Sequence, residues 1–194
     1  MSNLLEEFMG SVGSQVTGQL SSNLGIDNKT ANAIIPQVLP MILGGLKKQK
    51  DERGGADRVD HILNKYGSSS VLDDIGGLFS TKSQDPNPDP ALGGLLGDAG
   101  LQATNLFGKQ FNLDSGTAAK IIPMLAPVIL GFLTKKRDTG TGSSGIASLL
   151  DQDGDGSVLD DVAGFLMSGL AGSSTQKKGG LLGGLLGGLF GSKK

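Results

Sequence analysis

"IDNKTANAIIPQVLPMILGGLKKQKD", residues 26–51, has a helix start, an apolar core run and a helix end within one stretch of chain. Asp27 stands where an N-cap would open a helix, and Thr30 falls in the first turn behind it. The apolar run from Ala33 to Leu46 has the length of a buried core helix, short of the ~20 residues that cross a bilayer. Pro36 and Pro40 interrupt it. A proline inside a helix removes a hydrogen bond and kinks or breaks the segment, so the spacing predicts one bent helix or two short ones. The run closes on Lys47, Lys48 and Lys50, cations that complement the negative end of a helix.

The same stretch occurs again. "LDSGTAAKIIPMLAPVILGFLTKKRD" begins at Leu113, and 113 − 26 = 87. "SVLDDIGGLF" from Ser70 recurs as "SVLDDVAGFL" from Ser157, and 157 − 70 is again 87. One gap-free offset serves both blocks, so the expectation is an all-α protein of two tandem multi-helical units related by an 87-residue repeat. The first unit covers residues 1–81, a linker with Pro86, Pro88 and Pro90 covers 82–91, and the second unit covers 92–173. A Gly/Leu-rich tail follows at 174–194. Leu4, Leu5, Phe8, Met9, Val12, Val16 and Leu20 recur at helical spacing and predict an amphipathic helix near the start.

With "LGIDNKTANAIIPQVLPMILGGL" and its twin "FNLDSGTAAKIIPMLAPVILGFL", the chain resembles the YidB-like bacterial family, a domain of unknown function (domain 937). The resemblance covers most of both units. It implies a bacterial source and a helical fold, and it carries over no catalytic residue.

"DQDGDGSVLDD", residues 151–161, is the strongest candidate for chemistry. The D-x-D-x-D-G pattern resembles dockerin and EF-hand loops, with Asp151, Asp153 and Asp155 as alternate ligands, Gly156 at the sharp turn and the Ser157 carbonyl next. Val162 stands where a chelating acid would close such a loop, and Asp161 is an extra ligand close by. Three carboxylates about 5 Å apart repel by roughly 3 kcal/mol per pair at an effective dielectric of 20, which a dication would reverse. Calcium is the expected cofactor, of the weak class at about 10⁻⁴ to 10⁻³ M. A solvated acidic turn and a magnesium or manganese ion are the alternatives. The first unit has Asn64, Tyr66, Ser68 and Ser69 at the matching positions but keeps the acidic pair as Asp73 and Asp74. Ser70 with Asp73, and Ser157 with Asp160, therefore read as S-x-x-D helix starts, a capping role.

The tail "GGLLGGLLGGLFGSKK" repeats the "GGLLG" found at residues 93–97. Three readings stand: a low-complexity segment, a segment that docks on another chain, and a membrane-surface segment. For docking, Leu181, Leu182, Leu185, Leu186, Leu189 and Phe190 are the contact residues.

The charge balance excludes more than it suggests. With 17 basic and 19 acidic side chains, net −2, nothing draws a nucleic acid. The chain has no cysteine, and its one histidine, His61, reads as a solvated helix residue. No nucleophile–base set and no phosphate-cradling loop is present, so an enzyme is not expected. The N-terminus lacks a basic leader and carries Glu6 and Glu7, which points to the cytoplasm. A weak calcium site fills only outside cells, and that points to extracellular delivery by a non-classical route. The expected partner is the chain itself, as a homo-oligomer or head-to-tail polymer, with a membrane surface as the alternative.

Overall fold

The protein, a computed structural model, is described for residues 2–85, 95–96 and 98–141; among them every regular element is helical. Helix α1 (Ser2–Phe8) passes through a single π turn (Met9–Gly13) into α2 (Ser14–Leu24). The π turn has a packing reason. From Phe8 to Leu20 an ideal α-helix would turn about 120° beyond whole turns. The extra residue of the π turn removes roughly 100° of that and brings Val16 and Leu20 back to Phe8's side. Leu4, Phe8, Val16 and Leu20 are accordingly buried, with Leu5, Met9 and Val12 packed at the edge of the core.

Gly25, at φ 66°, ends α2, and Asp27 opens α3 (Asn28–Arg53). The Thr30 N–H donates to Asp27 Oδ1 at 2.9 Å and the Thr30 hydroxyl donates to Oδ2 at 2.6 Å. After α4 (Gly55–Tyr66) come a 3-10 turn (Ser69–Leu72), α5 (Ile75–Gln84) and α6 (Asp98–Gln110). Asn112, at φ 51°, then turns the chain into α7 (Ser115–Lys136), which Asp114 caps through Thr117 at 3.0 and 2.5 Å. Both caps stand where the sequence placed them.

Each proline pair lies inside a single continuous helix, so of the two forms expected, the pair of short helices is excluded. The prolines are half-buried and the residues between them are buried, Gln37, Val38 and Leu39 in α3 and Met124, Leu125 and Ala126 in α7. Fully burying one large aliphatic side chain stabilises by about 1.5–3 kcal/mol. Several such residues per helix offset the roughly 3 kcal/mol of a proline in a helix interior.

Helix α7 lies at the centre. It packs against α2, α3, α4, α5, α6 and the 3-10 turn, so the helices on both sides of residues 82–91 share one hydrophobic cluster. Phe8 meets Phe132 edge-on, with ring centroids 5.3 Å apart. Arg137, just past α7, ties to Asp60 of α4 at 3.3 Å, and Lys136 pairs with Glu7 of α1. Such ion pairs near the surface contribute little, about 0–1 kcal/mol each. Counted with the π turn that continues it, α7 is, among the described residues, the one helix long and apolar enough to cross a membrane, over Ser115–Thr139. Its buried face from Ala118 to Thr134 packs inside this body.

Candidate functional site

The acidic-loop residues Asp151, Asp153, Asp155, Ser157, Asp160 and Asp161 lie outside the described residues, as do Leu181, Leu182, Leu185, Leu186, Leu189 and Phe190. Among the described residues no group of three or more His, Asp or Glu side chains is placed to hold a metal. His61 is exposed on α4.

Capping at the first acidic pair falls one residue later than expected. Asp74, not Ser70 with Asp73, caps α5, its Oδ1 accepting the Gly77 N–H at 2.8 Å. Ser70 belongs to the preceding 3-10 turn: its carbonyl accepts the Asp73 N–H, and its hydroxyl lies 2.7 Å from that of Ser68. The 3-10 turn uses up the residues that would have formed a first α turn, so α5 opens at Ile75.

What the fold does bring together is a set of glycines over which other segments cross. Gly45 sits in the C-terminal half of α3 beside Ile42, Leu43 and Leu46, all buried. A Cβ there would lie 2.9 Å from the Leu95 carbonyl oxygen, 2.9 Å from Leu96 Cδ2 and 3.3 Å from Leu95 Cγ. Leu95 and Leu96 are themselves buried, at 6% and 8% exposure. They are the two leucines of "GGLLG", and they rest directly on the helix backbone. Glycine in a helix interior costs about 1 kcal/mol relative to alanine, and here the bare backbone is what admits the second segment.

Helix α7 has a corresponding crossing. A Cβ on Gly131 would lie 2.7 Å from the Ser68 carbonyl oxygen, and one on Gly67 would lie 2.7 Å from the Leu130 carbonyl oxygen. The segment after α4 therefore lies across α7 where neither backbone carries a side chain. Thr134, beside it, has a buried hydroxyl without a partner among the described residues. Both proline-bearing helices thus receive another stretch of chain on a glycine.

A third feature is a shallow groove of about 350 Å³ along the π turn, lined by Met9, Gly13, Ser14, Thr17, Gly18, Asn28 and Asn32. Its lining carries no charged group, and the Thr17 hydroxyl is buried there without a partner among the described residues. The electrostatics elsewhere are those of helix ends. Asp27 and Asp114 are held below the ordinary carboxyl value, first by the hydroxyls of Thr30 and Thr117 and then by the backbone N–H groups of the same residues. Arg137 is held above its ordinary value, first by the hydrogen bond to Asp138. None of these groups faces Gly45, where the contacting atoms are leucine carbons and a backbone oxygen. Such a surface supplies shape and apolar burial rather than acid–base chemistry.

The sequence reading did not find the Gly45 contact. Two signals point to it: the Gly44–Gly45 pair inside an apolar helix, and the repetition of "GGLLG".

The profile of a family described as bacterial proteins of unknown function (DUF937) matches residues 6–136 and again 133–194. Its first match ends at Lys136, the last residue of α7. No curated protein and no solved structure matches the chain.

Proposed function

Taking as premise that this chain belongs to the bacterial DUF937 family, we propose that it is a non-enzymatic self-assembly module, a helical body that receives the Gly/Leu segment of another copy, with one weak calcium loop. The observation that supports this is the burial of Leu95 and Leu96 against Gly45. Leu95 and Leu96, the leucine pair of a "GGLLG" sequence, pack on α3, and the tail consists of little else than that sequence: residues 179–183 and 183–187 both read "GGLLG", and 187–191 read "GGLFG". Three further stretches with the sequence order of the segment on α3 are candidates for the same kind of surface on a neighbour. Contacts of this head-to-tail kind build rings or open filaments, depending on whether the rotation closes.

The calcium loop enters through Asp151, Asp153 and Asp155, with the Ser157 carbonyl and Asp161. Its last ligand lies 17 residues before the first "GGLLG" at Gly179 (179 − 161 = 18, with 17 residues between), so ion binding would order the chain upstream of the docking segment. The test is light scattering after size exclusion, comparing the intact chain with one lacking Gly179–Lys194, with calcium and with chelator. Oligomers that grow with concentration and vanish on truncation are expected. A strictly monomeric intact chain at high concentration with calcium present defeats the reading.

A further inference from the structure

We propose that the receiving surface is the Gly45 site itself: residues 179–191 of one molecule displace Leu95 and Leu96 from α3 of another. This rests on the tail-docking reading above and names its receptor.

Three observations carry it. First, the site already holds Leu95 and Leu96, two residues of a stretch whose sequence the tail repeats. The leucines at 95 and 96 follow two glycines and precede a third, and the tail repeats that order. A surface shaped to one copy fits the others, because the contact is made by leucine carbons and a backbone carbonyl rather than by a residue peculiar to either. Second, the selectivity is steric. With a Cβ at residue 45 only 2.9 Å from both leucines, the segment could not lie so close to any other residue. The equivalent position on α7 is Phe132 (45 + 87 = 132), and the glycine crossing of α7, at Gly131, is filled by the Ser68 carbonyl, so α3 is the helix whose glycine carries Leu95 and Leu96. Third, the tail can reach. Residues 142–178 separate it from the end of the described body, and 37 residues (178 − 141 = 37) span at most about 130 Å when fully extended. A body of this size has a radius of gyration of only about 14 Å.

The exchange is conditional on concentration. The resident segment is joined to α5 by a short linker, so it competes at an effective concentration in the millimolar range. The tail offers three overlapping copies against one, roughly a threefold statistical gain for a multivalent ligand. Exchanging near-identical elements between molecules is a low-cost route to assembly, since each body keeps the contact it had. Loss of the resident leucines should therefore favour the incoming ones.

The native chain has no cysteine, which allows a clean experiment. One full-length preparation carries Lys48→Cys, an exposed position one turn from Gly45 on α3; a second carries Leu186→Cys in the tail. They are mixed with diamide as oxidant and read on a non-reducing gel. A 48–186 disulfide between chains is expected, severalfold stronger when Leu95→Ser and Leu96→Ser are added to the first preparation. Lys29→Cys, exposed on the same helix about 24 Å from Gly45 (16 residues at 1.5 Å), should not cross-link. Equal cross-linking at 29 and 48 overturns the proposal. So does a disulfide that forms only within a chain carrying both cysteines. Tail-dependent oligomers with no cross-link at 48 reject this site while leaving tail docking in place, and a monomer throughout rejects both. The native-background pair decides the matter even where the serine variant does not fold.

Discussion

Asp27 and Asp114 do the same work 87 residues apart, and their carboxylates carry a pH signature. Each is held below its ordinary value of 3.8 by the threonine hydroxyl three residues on and by that residue's N–H. The stabilisation is therefore fully present above 3.8 and is lost as pH falls through the lower folded value. The double variant Asp27→Ala, Asp114→Ala should melt below the native chain at pH 7, and the gap should narrow as pH drops beneath 3.8. Asparagine at both positions keeps an accepting oxygen and should show a smaller gap with little pH dependence. A gap unchanged down to the acid transition would take the caps out of the account. Asp153→Asn with Asp155→Asn should abolish calcium-dependent stabilisation, about 1.4 kcal/mol at ten times Kd. The same changes at Asp73 and Asp74 should leave the calcium response intact, since Asp74 is a cap and asparagine caps as well. Melting curves in 10 mM calcium and in chelator decide it: identical curves for the native chain remove the site.

Glycines inside helices separate into two kinds, and the elements explain which is which. At Gly18 in α2 a Cβ would meet nothing within 4 Å. At Gly131 in α7 it would lie 2.7 Å from the Ser68 carbonyl, a backbone atom that cannot swing aside. Gly18→Ala should stabilise by about 0.4–1 kcal/mol, by restricting the unfolded chain. Gly131→Ala should destabilise by about 1–3 kcal/mol, because the chain after α4 must shift to admit it. Urea unfolding midpoints check both at once, and a stabilised Gly131→Ala protein would mean that Gly67–Ser68 does not lie across α7.

Assembly belongs to the whole molecule. Concentration-dependent oligomers, promoted by calcium and lost with Gly179–Lys194, are the expected behaviour of the intact chain. An oligomer that survives the truncation would place the interface on the helical body. Liposome flotation of the intact and truncated chains tests the membrane alternative: flotation that depends on the tail would favour lipid over a second copy as its partner. The apolar α7 has its main face occupied in the core, so the tail is the segment whose removal this comparison should read.

Much of this fold was legible in the letters because the signals are local. An N-cap acts on an N–H three residues away, and a helical stripe is written within a few turns. Asp27, Asp114, an amphipathic stripe near the start and the apolar core run of α3 could thus be placed without coordinates, and the 87-residue offset is visible by eye. Three things required the tertiary structure. The proline helices run unbroken because neighbours bury their sides, an energy that no window of sequence contains. The cap of α5 moved to Asp74 because a 3-10 turn, packed on α7, occupies the residues before it. Gly45 is a contact rather than a weak point in its helix only because Leu95, fifty residues along the chain, returns to lie on it. Sequence determines what each segment prefers over a few residues; which distant segment fills the space beside a bare backbone is settled only when the chain packs.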